Sequence, residues 1–273
     1  VLSPPGQGQL REYRRRAAVA LRWRPEWPFA LVVVVAWAVL LSGVLLSGHG
    51  PGHHPAAHHG PAHGHAAAVG GGAGGRGGWS TLLDGLPAAL SVWTVMSVAM
   101  MLPVALPATR HVALNSIRER RARAMTVFVA TYIAVWALFG LVALLGVRAA
   151  TDVAGVGGRA LLLAALAAAA LWQASGIKRR SLAQCRRTVP LPPVGRRADV
   201  ACARFAFLHG RRCVLSCWPL MVLMAVVEHG AVVWMIALTV VVSAEELTRV
   251  GRRLPGLSAV ALTLTAAFLV LSG

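Results

Sequence analysis

Apolar residues arrive in blocks of about 20, the length a helix needs to cross the hydrocarbon core of a bilayer. Seven such blocks can be read, near residues 28–47, 86–108, 125–147, 159–177, 213–227, 231–244 and 257–272. Only 13% of the 273 residues are charged and 57% are hydrophobic. Too little charge remains to clothe a globular surface of this size, since soluble domains carry roughly twice that fraction. The pattern excludes a soluble α/β enzyme and predicts an all-α, polytopic transmembrane helical bundle of about seven spans.

The charge that is present is one-sided. There are 27 Lys and Arg against 9 Asp and Glu, a formal net charge of +18. Lys and Arg are retained in cytoplasmic loops, so their placement orients the spans. A cytoplasmic N-terminus puts 24 of the 27 inside, between Arg11 and Arg24, Arg110 and Arg123, Lys178 and Arg212, and Arg249 and Arg253. The basicity therefore reads as a topology signal in a multi-pass protein of the inner (cytoplasmic) membrane, with the lipid bilayer as its partner and no nucleic acid. The first block has the basic lead of a signal peptide, but its apolar core is long and no clear cleavage site follows. It is read as a membrane helix.

The chain then divides into a basic cytoplasmic segment over 1–27 and a single transmembrane domain over 28–273. Within that domain, 48–80 is a Gly, His, Ala and Pro stretch expected to be a disordered outer loop. Residues 178–212 are expected to be a basic cytoplasmic loop, in which Pro190, Pro192 and Pro193 block regular helix and the part from Asp199 onward looks helical.

Two sets of residues carry chemistry. The first is outside: His49, His53, His54, His58, His59, His63 and His65. Neutral imidazole is a ligand for Zn, Cu, Ni and Fe, and a flexible loop can gather several around one ion. The same cluster is also what drift in a low-complexity spacer produces. The second set lies on the fifth block, where His209, Cys213, Cys217 and Met221 recur every four residues and so share one helix face. The stripe spans about 18 Å, too long for one ion but suited to adjacent pairs. Thiolate and thioether donors favour soft ions, copper ahead of zinc. Met96 and Met100, also four apart, could supply further thioethers. Cys and Met are equally at home in apolar packing.

Trp93, Met96, Ala99, Met100, Met101, Leu102 and Pro103 resemble the W-x-x-M-x-x-A-M-M-L-P signature of a bacterial family of predicted metal-binding integral membrane proteins of unknown function. Gln173, Ser175, Lys178 and Cys185 resemble a later stretch of that family. His209, Gly210, Cys213, Cys217, Trp218, Leu220 and Met221 resemble its H-G-x-x-C-x-x-x-C-W-x-L-M segment, and Trp234, Met235 and Glu245 a third. The resemblance implies a polytopic, metal-holding protein and adds Cys185 to the candidate ligands. Ser181, Gln184 and Ser216 stand where the family pattern has Cys, His and Cys, and Ala231 where it has Asn.

Other chemistries find little support. Glu245, Glu246 and Arg249 are similar to the E-E-x-x-x-R of intramembrane glutamate proteases, with the Arg one residue early. An i,i+4 ion pair at a helix end explains them more simply. A retinal Schiff base needs a Lys inside the bundle, and the one Lys, Lys178, is expected at a cytoplasmic helix end. No Walker loop or H-E-x-x-H is present. The expectation is a non-enzymatic membrane protein that binds a transition metal, copper first, in capture, handling or transport. The alternative is an accessory or structural subunit of a membrane complex, with a membrane-protein partner or a second copy of itself.

Overall fold

The computed structural model describes residues 25–47, 85–185, 188–227, 231–248 and 254–271. These are all-helical. In order they form α1 (Trp27–Ser47), α2 (Leu86–Leu114), α3 (Arg121–Arg148), α4 (Gly158–Ala174), α5 (Gly176–Cys185), α6 (Arg196–Val226), α7 (Ala231–Leu247) and α8 (Leu254–Leu271). A π-helical turn, Ala149–Val153, extends α3. No strand occurs among the described residues.

Three helices, α2, α3 with its π turn, and α8, are long and apolar enough to cross a membrane. The pair α4 and α5, bent by 69°, makes a fourth if it counts as one span. That is fewer than the seven expected. The difference lies in the other helices. The 17-residue α7 falls short of about 20 residues. The apolar half of α6 is continuous with a basic first half bearing Arg196, Arg197, Arg204, Arg211 and Arg212. The stretch read as a basic loop is itself largely helical: α5 runs to Cys185 and α6 starts at Arg196, with Pro190, Pro192 and Pro193 in the non-helical segment between them.

Interhelical hydrogen bonds fix the directions of the helices. Trp93 on α2 donates to the Trp136 carbonyl on α3 (3.1 Å), and Arg121 donates to the Ala113 carbonyl (3.1 Å), so α2 and α3 run antiparallel. Arg120 and Arg123 pair with Asp199, and Tyr132 meets Cys213, so α3 and α6 run parallel. Arg159 donates to the Leu269 carbonyl and Gln173 to Ser258, which sets α4 antiparallel to α8. The core lies among α2, α3 and α6, where Met100, Phe128, Trp136 and Met221 are sealed.

Proline and tryptophan solve a shared problem in these helices. A proline lacks the N–H that would bond the carbonyl four residues earlier. Pro103 thereby frees the Ala99 carbonyl, which accepts from the Trp37 indole of α1 at 3.0 Å. Pro219 frees the Leu215 carbonyl, which accepts from the Trp172 indole of α4 at 3.1 Å. Trp93 lies so close to Gly140 that a Cβ there would come within 2.1 Å of the indole. Hydroxyls on these helices fold back on their own backbone: Thr94 donates to the Leu90 carbonyl and Thr109 to that of Ala105.

Large apolar side chains cover the outside. Leu31, Val34 and Val39 on α1, Leu138 and Val142 on α3, and Leu257, Leu264 and Phe268 on α8 are all exposed.

Two measurements test this account. Trp37→Phe should cost about 1–3 kcal/mol, the penalty for a buried carbonyl left without a donor. The same change should cost clearly less in a Pro103→Ala background, where an in-helix N–H returns to Ala99. Equal losses of unfolding free energy in detergent would remove the explanation. The second test concerns Asp199. Hydrogen bonding from Arg120, aided by the charges of Arg120 and Arg123, holds its carboxyl below the ordinary value of 3.8. A depressed carboxylate contributes stability above its unfolded pKa and loses it as pH falls through the folded one. The stability gap between the parent and Asp199→Asn should therefore stay flat from neutral pH down to the ordinary aspartate range, and close only below it.

Candidate metal centre

The fifth apolar block forms the second half of α6, and the i,i+4 stripe runs along its inner face. His209, Cys213, Cys217 and Met221 are all buried, the two thiols and the thioether completely. Gly210 lets this face approach α3: a Cβ at that position would sit 3.2 Å from Val135 and 3.4 Å from the Tyr132 ring. All four cysteines of the chain are free thiols.

The closest convergence of ligand atoms joins α6 to α7. Cys213 Sγ, Cys217 Sγ and a Glu246 carboxylate oxygen all lie within 4.8 Å of one another. Metal–sulfur bonds are about 2.3 Å long. Two sulfurs held by one ion therefore stand up to about twice that distance apart, close to the spacing of these three atoms. Cys185, at the end of α5, is buried near Glu246 and Cys217. Ser216 Oγ lies 2.9 Å from a Glu246 oxygen, 2.9 Å from the Cys213 carbonyl and 3.2 Å from Cys217 Sγ. Ser216 thus places a hydroxyl on this helix that holds the carboxylate.

A second polar layer sits directly beside this one. Lys178 Nζ pairs with Glu245 Oε2 at 2.5 Å, both side chains fully buried. Gln173 donates to Glu245 Oε1 at 3.0 Å, and Ser258 donates to the same oxygen at 3.1 Å. Side chains from α4, α5, α7 and α8 thus meet at one carboxylate. The break between α4 and α5 makes this possible. Ser175 is extended between the two helices, and its hydroxyl accepts from the Lys178 N–H at 3.2 Å, turning Lys178 inward.

One sequence reading is corrected here. Lys178 is in the interior, its side chain fully buried. Glu245 and Glu246 are both buried, Glu245 pairing with Lys178 and Glu246 facing the thiols; the expected i,i+4 ion pair needs Arg249. Arg249 lies outside the described residues. Glu246, Tyr132 and Ser216 are the site residues that sequence spacing missed. A pair of acids in an otherwise apolar segment was the available signal for Glu246.

The remaining candidates are placed differently. His209 is one turn before Cys213, packed against Phe128, Tyr132 and Phe205 at 5.9, 5.8 and 6.1 Å. Its Nε2 is buried without a hydrogen-bond partner, and the end of α5 at Cys185 lies nearby. Met221, Met96 and Met100 belong to the apolar core. Helix α2 reaches the thiols through its backbone, since Tyr132 donates to the Met101 carbonyl at 3.1 Å while lying 3.2 Å from Cys213 Sγ. The outer histidines His49, His53, His54, His58, His59, His63 and His65 lie outside the described residues.

The geometry makes a prediction that touches no ligand. Gly210→Leu should push α6 away from α3 and lower metal retention at the thiols several-fold while leaving helix content unchanged, as read by metal content and circular dichroism on one preparation. Full retention would show that this close approach does not shape the centre.

No curated protein and no solved structure matches the chain. The family model PpoB2, described as copper chaperone, matches residues 90–269. The matched region runs from within α2 to within α8, with both thiols, Glu246 and the buried ion pair inside it. The chain belongs to this PpoB2 copper chaperone family.

Proposed function

We propose that this protein is a non-enzymatic, multi-pass protein of the inner membrane that accepts copper, as Cu(I), at Cys213 and Cys217 and holds it for delivery. The observation that carries the reading is the buried meeting of two thiols and a carboxylate from two different helices. The family description supports copper as the cargo. Two adjacent sulfurs suit a soft, monovalent ion, and burial shields it from water and oxidant. Glu246 completes the ligand set or takes up a proton released when the thiols bind metal. Cys185 and His209 border the site and extend it toward the end of α5; Met221, Met96 and Met100 are available as neighbouring soft donors. The histidines between His49 and His65 capture metal on the outer side. The exposed apolar side chains of α1, α3 and α8 support a lipid-facing surface, and the basic loops support an N-terminus in the cytoplasm.

A second reading, a packing subunit of a larger membrane complex, draws on a shallow apolar groove between α4 and α8. Ala170, Ala174, Ala259 and Thr263 line it, small residues of the kind that admit another helix closely.

Metal analysis of detergent-purified protein separates the two readings. Loading with Cu(I) under reducing conditions should leave about one copper per chain, lost in Cys213→Ser/Cys217→Ser and reduced by Glu246→Gln. Removing residues 49–65 should slow loading without abolishing the bound ion. Equal copper in the parent and the double Ser variant would remove the intramembrane site and favour the packing subunit.

A further inference from the structure

Tyr132 is the aromatic residue closest to the thiols, and its surroundings fix everything except its hydroxyl hydrogen. The ring is 1% exposed. It stacks on Phe128 at 6.3 Å with 7° between the planes, and His209 packs against it at 5.8 Å. The phenol oxygen has two neighbours, the Met101 carbonyl at 3.1 Å and Cys213 Sγ at 3.2 Å.

A phenol has one hydrogen to give and lone pairs to accept with, whereas a carbonyl only accepts. In the metal-free protein the hydrogen goes to the Met101 carbonyl, and the Cys213 S–H donates to the phenol oxygen. A metal ion binds the thiolate, so loading removes that S–H proton, which passes by way of Glu246, beside both thiols, to solvent. A thiolate only accepts. The phenol hydrogen then has a charged acceptor within reach, and charge-assisted hydrogen bonds are roughly twice as strong as neutral ones. A rotation of the O–H about its C–O bond is enough, without movement of the ring.

We propose that Tyr132 is a positioning residue of the metal centre, whose hydroxyl donates to the Cys213 thiolate in the loaded protein and sets that sulfur's orientation and donor strength. The inference rests on the copper-binding reading of the same site. It also gives α2 a share in the centre, because the hydrogen bond that turns to sulfur on loading is the one that joins α2 to α3 through Met101.

The test uses Cu(I) as the probe, with full-length protein in detergent under anaerobic, reducing conditions. Two readings are taken: the near-ultraviolet thiolate-to-Cu(I) charge-transfer band, and the affinity by competition with a coloured Cu(I) chelator. A hydrogen bond lowers the energy of the sulfur lone pairs. Tyr132→Phe should therefore move the band to lower energy and weaken binding about 10- to 100-fold, the usual effect of removing a partner of a metal ligand. The chain has two tyrosines, Tyr13 and Tyr132, so global replacement by 3-fluorotyrosine strengthens the donor with minimal change of shape. It should move the band in the opposite direction, and it keeps the test decisive if the Phe variant folds poorly. A parent band that is unchanged in position and affinity in both substituted proteins would overturn the role of Tyr132 and leave the copper site standing. A parent without the band, or with one that survives Cys213→Ser/Cys217→Ser, would overturn the copper site and with it this inference.

Discussion

The buried pair of Lys178 and Glu245 is the interaction on which the arrangement of the second half of the chain depends. Taking either charge out of water alone costs several kcal/mol, and removing one partner of such a pair strands the other. The pair therefore holds only if α5 and α7 stay in one register. Gln173 and Ser258 tie α4 and α8 to the same carboxylate. Once Glu245 is fixed in this way, the next residue on α7 is also fixed. Glu246 is turned toward α6 and meets Ser216 and the two thiols. One electrostatic commitment thus aligns five helices, and the two thiols with Glu246 lie next to it.

A different constraint acts in α2 and α6, the need to give a carbonyl that proline frees a new donor. Prolines in α2 and α6 break the backbone pairing locally, and indoles from other helices repair it. The repair also glues the bundle together, because each indole must come from a particular neighbour at a particular height. Glycine acts at the complementary points. Gly140 receives the Trp93 indole and Gly210 brings α6 against Tyr132. Tyr132 then connects both systems, one hydroxyl touching the α2 backbone and a sulfur of the site.

Much of this was legible in the residues. Long apolar blocks identified an all-helical chain, and the four-residue recurrence of His209, Cys213, Cys217 and Met221 identified the face that became buried. The length of that stripe limited one ion to an adjacent pair but did not choose among its pairs. The resemblance added Cys185, which the fold brings to Glu246. The number of spans was less legible, because hydropathy in a 17-residue helix, or in the apolar half of α6, does not say whether the segment crosses a membrane or packs within the protein. Lys178 was misplaced for a related reason: a charge near the end of an apolar block resembles a solvated boundary unless the partner on another helix is known.

The sequence by itself determined the helical class, the soft character of the donors and the apolar face they occupy, because helical periodicity and ligand chemistry are local properties. The tertiary structure alone decided that Glu246 is the third member of the site, that Ser216 holds it, and that Tyr132 reaches Cys213. These pairings join residues far apart in the chain, 30 positions for Ser216 and Glu246 and 81 for Tyr132 and Cys213. Local periodicity carries no record of such distant partners, and they meet only because the buried ion pair and the glycine approaches fix the helices against one another.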